Sequence, residues 1–188
     1  MILSFSDSNL ELVSFQILPQ DIDLQQEYIS WLRDSEVNHL LGIAFIEHDK
    51  ESLFIHNAYT RFTSDICKGF FIKDKTKNLF IGTLKFDKID YTMNSAEVGV
   101  MIGNKDYWGK NCGTQAIDII LKYAFEDLKL NRIWGGCNEN NLGMIKIFQK
   151  LGFKQEAVLR QADRIKEEYS DNFLYGILKS EYNTSRRQ

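Results

Sequence analysis

At 188 residues, with 44% hydrophobic and 26% charged residues, the chain has the composition of an ordinary globular domain, which excludes the disordered class. No apolar run approaches the ~20 residues that span a bilayer, and Met1 to Asp7 lacks the basic-then-apolar layout of a secretory signal, so a cytoplasmic protein with no membrane partner is expected. A formal charge of −3 gives no general pull toward nucleic acid, and neither the three cysteines (Cys67, Cys112, Cys137) nor the three histidines (His39, His48, His56) have metal-ligand or disulfide spacing.

A single domain over residues 1–188 is expected, with a polar tail from Asn183 to Gln188 and no linker or repeat. Alternation over Leu10 to Leu18 predicts a first strand. Pro19 and Asp21 open a helix that runs to Arg33, with Ile22, Tyr28, Ile29 and Leu32 as its apolar positions. Ser35 is expected to cap a short helix ending near Gly42. Asp49 is expected to cap another, whose apolar side is Leu53, Phe54, Ile55, Ala58 and Phe62. Strands follow at Gly69–Lys73, Leu79–Phe86 and Ala96–Ile102, joined by polar turns at Asp74 to Asn78 and Asp90 to Ser95. Ile117, Ile120, Leu121, Ala124 and Leu128 form one apolar stripe of a helix that Asn131 ends. Then come a strand at Arg132–Cys137, a helix from Leu142 to Leu151 with Gly152 just past its end, and strands at Phe153–Arg160 and Phe173–Leu178. The whole is a mixed α/β layer fold.

The most informative stretch is Trp108-Gly109-Lys110-Asn111-Cys112-Gly113-Thr114-Gln115-Ala116, between a strand and the clearest helix. The first helical N–H groups have no intrahelical acceptor, and the helix dipole adds positive potential there. Small residues let a ligand reach those groups, so this is a cradle for phosphate oxygens. Asn111 is the non-glycine residue that best tolerates a positive φ.

These residues and the element order resemble the GNAT superfamily of acetyl-CoA-dependent N-acetyltransferases, over Leu10 to about Tyr182. Two segments carry the resemblance. Ala96–Ile102 leading into Trp108–Thr114 is similar to the family's cofactor strand and its pyrophosphate loop, Gln/Arg-x-x-Gly-x-Gly/Ala. Asn141 through Phe148 to Leu151-Gly152-Phe153 is similar to its asparagine-led helix ending in Leu-Gly-Phe. Trp108 replaces the usual Gln or Arg, as in the RimJ/RimL-like branch, and Asn111 replaces the first glycine. Met144 and Phe148 stand where serine and tyrosine, the usual acids, often sit.

The resemblance implies a mostly antiparallel central sheet with helices on both faces, and direct transfer of acetyl from acetyl-CoA to a primary amine in a ternary complex. The alternative is a non-catalytic CoA-binding module of the same fold. It further implies backbone contacts to CoA from Met101, Ile102 and Gly103, and pyrophosphate contacts from Trp108, Gly109, Lys110, Asn111, Cys112, Gly113 and Thr114. Asn141, Gly143 and Phe148 are implied near the pantetheine arm, and Trp31, Asn38 and Tyr169 on the acceptor side. Glu97 is the candidate base, because a carboxylate on a central strand is costly to bury without a partner or a purpose. Its other reading is an ion-paired glutamate holding a neighbouring strand. A protein N-terminus, an amino sugar or a small amine all remain open as acceptor, no metal is expected, and open sheet edges are compatible with a homodimer.

Overall fold

The structure is a computed structural model that describes residues 1–4, 8–39, 50–165 and 167–185. Its centre is an eight-stranded sheet in the order β1-β2-β3-β4-β5-β6-β8-β7. The strands are β1 (Ile2–Ser4), β2 (Leu10–Ser14), β3 (Lys68–Asp74), β4 (Leu79–Asp90), β5 (Ser95–Ile102), β6 (Arg132–Asn138), β7 (Lys154–Ile165) and β8 (Glu168–Leu178). Every pairing is antiparallel except β5 with β6. The helices are α1 (Ile22–Arg33), α2 (Ser35–Asn38), α3 (Glu51–Phe62), α4 (Cys112–Lys122), α5 (Leu142–Lys150) and α6 (Lys179–Ser185).

Alternation along the strands divides the core into two layers. Phe70, Ile72, Leu84, Phe86, Ala96 and Val98 face the side covered by α4 and α5. Phe71 and Met101 face the side covered by α1 and α3. Helices therefore cover both faces, as expected. The stripe of α4 lies against the first layer with Ile117, Ile120, Leu121 and Ala124 fully buried. In the second layer Phe15 stacks on Phe71 with ring centroids 4.2 Å apart. Burying one such phenylalanine contributes roughly 1.5–3 kcal/mol.

The differences from the sequence reading have local causes. The first strand stops at Ser14, and Phe15–Gln20 forms a 3-10 turn that contains Pro19. Phe15 and Leu18 are both buried because positions three apart eclipse in such a turn. β1 was not anticipated; three residues are too few to show a period. Ile22 is exposed at the start of α1, Leu53 is exposed on α3, and Asp34 rather than Ser35 caps α2, accepting from Glu36 N at 2.9 Å. Gly42 and Asp49 lie outside the described residues. Past α4 the chain widens into a π-helical turn at Tyr123–Asp127, with Leu128 N donating to Tyr123 O at 3.0 Å. Lys129 then turns back at φ 58°, so the helical run closes before Asn131.

β7 and β8 extend well beyond the stretches expected for them. Their outer arms are polar and exposed, so hydrophobic periodicity is silent there. Side-chain bonds hold them instead: Asn138 Nδ2 donates to Asp163 Oδ2 at 3.0 Å and to Ser170 Oγ at 2.6 Å. Gln161, at φ 52°, makes a bulge whose N–H donates to Asp171 Oδ1 at 2.9 Å.

Candidate active site

The site begins where the sheet opens. β5 and β6 pair in parallel only at Ser95–Arg132, Ala96–Ile133 and Glu97–Trp134. Beyond Glu97 the strands diverge, and β5 from Val98 to Ile102 keeps β4 as its partner on the other side alone. Gly135 sits at the apex, where an added Cβ would lie 2.8 Å from the Val98 carbonyl oxygen. The gap is a cleft of about 560 Å³, lined by Val98, Gly99, Val100 and Met101 from β5 and by Gly136 and Cys137 from β6. Asn141 and Met144 of α5 close one end. Unpaired strand backbone of this kind presents N–H and C=O groups to an extended, amide-bearing ligand.

The small-residue loop lies at the end of β5. Gly109 and Asn111 both take positive φ, 72° and 65°, which turns the chain sharply into α4. The first intrahelical bond there runs from Gln115 N to Asn111 O at 3.1 Å. The N–H groups of Cys112, Gly113 and Thr114 thus precede the hydrogen-bond ladder. Gly113 lets α4 and α5 start close together, since a Cβ there would meet Ile147 at 2.9 Å. Lys150 Nζ donates to Asn111 Oδ1 at 2.9 Å, and the Lys110 ammonium stands 5.8 Å over the Tyr107 ring. Burial raises the Cys112 thiol pKa.

Two bonds hold the loop to the sheet. Trp108 Nε1 donates to the Ile102 carbonyl at 2.8 Å. Tyr107 donates its hydroxyl proton to Asp74 Oδ2 at 2.7 Å. Asp74 also accepts from the Thr76 hydroxyl, and these donors outweigh burial and hold its carboxyl pKa at about 2. The Tyr107 hydroxyl is pushed up to about 12, by burial first and by Asp74 second.

The candidate residues fall into two groups. Glu97, Met101 and Asn141 line the cleft, and Trp108 to Thr114 form the loop beside it. Asn141 also caps α5, its Oδ1 accepting from Met144 N at 3.0 Å, with Gly143 in the same first turn. The rest are placed elsewhere or are already engaged. The Ile102 carbonyl is taken by Trp108, and Gly103 N donates to Ile81 O at 3.0 Å. Trp31 is buried over Gly103, where a Cβ would come within 2.1 Å of the indole; it is core, because its helix turns this face to the sheet. Phe148 is fully buried, stacks on Tyr175 at 5.0 Å, and packs under the cleft apex, where a Cβ on Gly135 would meet its Cζ at 2.8 Å. Asn38 spends its side-chain N–H on Leu32 O at 2.6 Å. Tyr169 is 64% exposed on the outer arm of β8, beneath the Arg164 guanidinium.

The remaining lining of the cleft was not anticipated: Phe15, Tyr28, Leu32, Phe54, Asn57, Ala58, Arg61, Phe62, Thr83 and Lys85, with Glu97 beside them. Lys85 and Asp87 pair in register with Gly99 and Glu97. Glu97 is ion-paired to Lys88 at 2.8 Å, and that ammonium stands 5.1 Å over the Trp134 ring. Burial alone would raise the Asp87 carboxyl, but Lys85 at 2.9 Å and the Arg61 guanidinium hold it at about 2. Two thiols are inert by the same physics: burial pushes Cys67 and Cys137 up to about 11. One signal could have found this wall. Along β4, Thr83, Lys85 and Asp87 alternate with Leu84 and Phe86, putting polar side chains on the face that Glu97 shares.

A family model described as an acetyltransferase (GNAT) domain matches residues 16–154. The uncharacterized N-acetyltransferase p20 of Bacillus licheniformis is 34% identical over 102 residues, 54% of this chain and 57% of that protein. The uncharacterized N-acetyltransferase YnaD of Bacillus subtilis is 27% identical over 134 residues, 65% of this chain and 78% of its own length. The matched part of the chain thus spans little more than half the length of p20. Among solved structures, spermidine N-acetyltransferase from Vibrio cholerae, in complex with CoA and spermine, superposes with a TM-score of 0.80 at 21% identity, covering 94% of this chain and 99% of that one. RimL, a ribosomal L7/L12 alpha-N-protein acetyltransferase in complex with coenzyme A, gives 0.79 at 17% identity, covering 95% and 98%. At such identities the shared feature is the fold.

Proposed function

Because the chain belongs to the acetyltransferase (GNAT) family, we propose that it transfers the acetyl group of acetyl-CoA to a primary amine by direct attack in a ternary complex. The observation that carries this reading is the opening of β5 from β6 beside the N-terminus of α4. Backbone from Val98 to Met101 lies ready for the pantetheine amides, and the helix start at Cys112 to Thr114 lies ready for the pyrophosphate.

In the reaction the amine nitrogen bonds to the acetyl carbon, the carbon–sulfur bond breaks, and its electron pair leaves on sulfur. The amine must also lose a proton. A lysine-like amine, with a pKa of ~10.4, needs a base for this more than an α-amino group at ~8 does. Glu97 is the carboxylate that lines the cleft. It takes the proton in this reading, directly or through one water, and Lys88 orients it. Met144 and the buried Phe148 supply no proton to the leaving thiolate, so the thiolate departs unprotonated or takes its proton from water.

The Glu97–Lys88 pair and the apolar Met144 favour a second reading, a CoA-binding module without catalysis. Release of free thiol from acetyl-CoA across a panel of amines separates the two. Amine-dependent release above hydrolysis supports transfer. Acetyl-CoA binding with no release for any amine rejects it.

A further inference from the structure

The charges at the acceptor end point to the kind of amine that enters. Resting on the acetyl-transfer reading, we infer that the acceptor is a small amine that also carries an anionic group, a carboxylate or a phosphate, which Lys85 and Arg61 receive.

Five charged groups meet around this end of the cleft among the described residues. Glu97 is matched by Lys88. Asp87 is shared between two cations, Lys85 from its own strand and Arg61 from α3. One positive charge is therefore uncompensated, and both cations that share Asp87 line the cleft. Their donors outnumber what one carboxylate accepts, since a guanidinium has five N–H bonds and an ammonium three. Asp87 is nearly buried, while the Arg61 side chain is 58% exposed and Lys85 35%, so the cations and not the anion face the entering molecule. Lys85 runs across the bare face of Gly99, where an added Cβ would touch its Cε at 3.3 Å. That places the lysine beside the β5 backbone, within the cleft and close to Glu97.

A polyamine suits this wall poorly. Among the described residues that line the cleft no carboxylate besides Glu97 is left to pair its further ammonium groups, which would meet Arg61 or Lys85, and juxtaposed like charges are strongly disfavoured. An anion bonded to one cation relieves the imbalance and fixes the amine by two points, the anion on one side and Glu97 on the other. The aromatic walls, Phe15, Tyr28, Phe54 and Phe62, suit an apolar body between those points. A cleft of about 560 Å³ that also admits the pantetheine end leaves room for a small molecule.

The test uses matched acceptors: α-amino acids against their carboxamides, glucosamine 6-phosphate against glucosamine, with spermidine and a C-terminally amidated tripeptide for contrast. Thiol release gives kcat/KM, and thermal stabilisation of the CoA-loaded protein reads binding whether or not turnover occurs. In at least one pair the anionic member is expected to exceed its neutral partner by about tenfold, the worth of one favourable charge contact. The amino acid and phosphate arms tell the two anions apart. Lys85→Met and Arg61→Gln should each collapse that ratio toward one through KM, and Lys85→Arg should keep it. If the anionic member stabilises the CoA-loaded protein and no amine is acetylated, the inference on charge stands and the transfer reading fails. Equal neutral and anionic partners in both readouts, or preference for spermidine or the amidated tripeptide, overturn the inference.

Discussion

The two walls of the cleft are made of different material. On the proposed reading the donor wall is backbone: the unpaired edge of β5 and the first turn of α4. On the same reading the acceptor wall is side chain, contributed by the 3-10 turn, α1, α3, β4 and β5. A backbone wall depends on small residues and sharp turns in one short stretch. A side-chain wall depends on which distant segments the fold brings together. The first can stay fixed while the second is rewritten, and the contrast predicts that donor and acceptor kinetics can be broken separately.

The largest separation should come from Glu97→Gln. If Glu97 accepts the amine proton, the variant loses about 10²–10⁴ in kcat/KM for a lysine-like amine, or roughly 3–5 kcal/mol of transition-state stabilisation. The KM for acetyl-CoA should hold, and rising pH should recover part of the loss as the amine deprotonates unaided. Near-normal activity at neutral pH would assign Glu97 to holding Lys88 and nothing more.

Gly113→Val attacks the other wall. The added carbons strike Ile147, a contact that costs up to about 3 kcal/mol when a packed site cannot give. Denaturant unfolding should show the loss, and acetyl-CoA KM should rise by about tenfold as the helix start shifts, with acceptor KM little changed. An unchanged acetyl-CoA KM would detach this turn from donor binding.

Asp74→Asn is a smaller and pH-dependent test of how the donor wall is tied to the sheet. With its folded pKa held at about 2, below the ordinary ~3.9, Asp74 adds stability that is complete above about pH 4 and is lost as pH falls through 2. The linked energy is ~2 kcal/mol. The stability gap between wild type and variant should therefore be widest above pH 4 and shrink toward pH 2. A gap independent of pH would mean that ionisation of Asp74 is not linked to folding.

What was legible in the sequence follows the same division. Trp108 to Thr114 and Asn141 to Phe153 could be read because backbone geometry restricts residue type locally: positive φ at Gly109 and Asn111, a cap at Asn141, φ 82° at Gly152. The strands β3, β4 and β5 could be read because each is buried and alternates. The extensions of β7 and β8 could not, because exposed polar arms held by Asn138, Asp163 and Ser170 carry no apolar period. The resemblance assigned Trp31 and Phe148 to the site, and the fold packs them against Gly103 and Tyr175. Arg61 and Lys85 lie 24 residues apart in sequence and meet only through Asp87, a meeting no local pattern encodes.

The three tryptophans are distributed as a set of optical reporters. Trp108 belongs to the donor loop, is 44% exposed, and has its indole N–H fixed on Ile102. Trp134 lies under the Lys88 ammonium, opposite Glu97 in the sheet, and so senses the acceptor end. Trp31 is buried against Gly103, on the helix whose Tyr28 and Leu32 line the cleft. With single-tryptophan variants, emission from Trp108 should follow the arrival of CoA and emission from Trp134 the arrival of amine. Order of binding would then be visible in the light the protein itself emits.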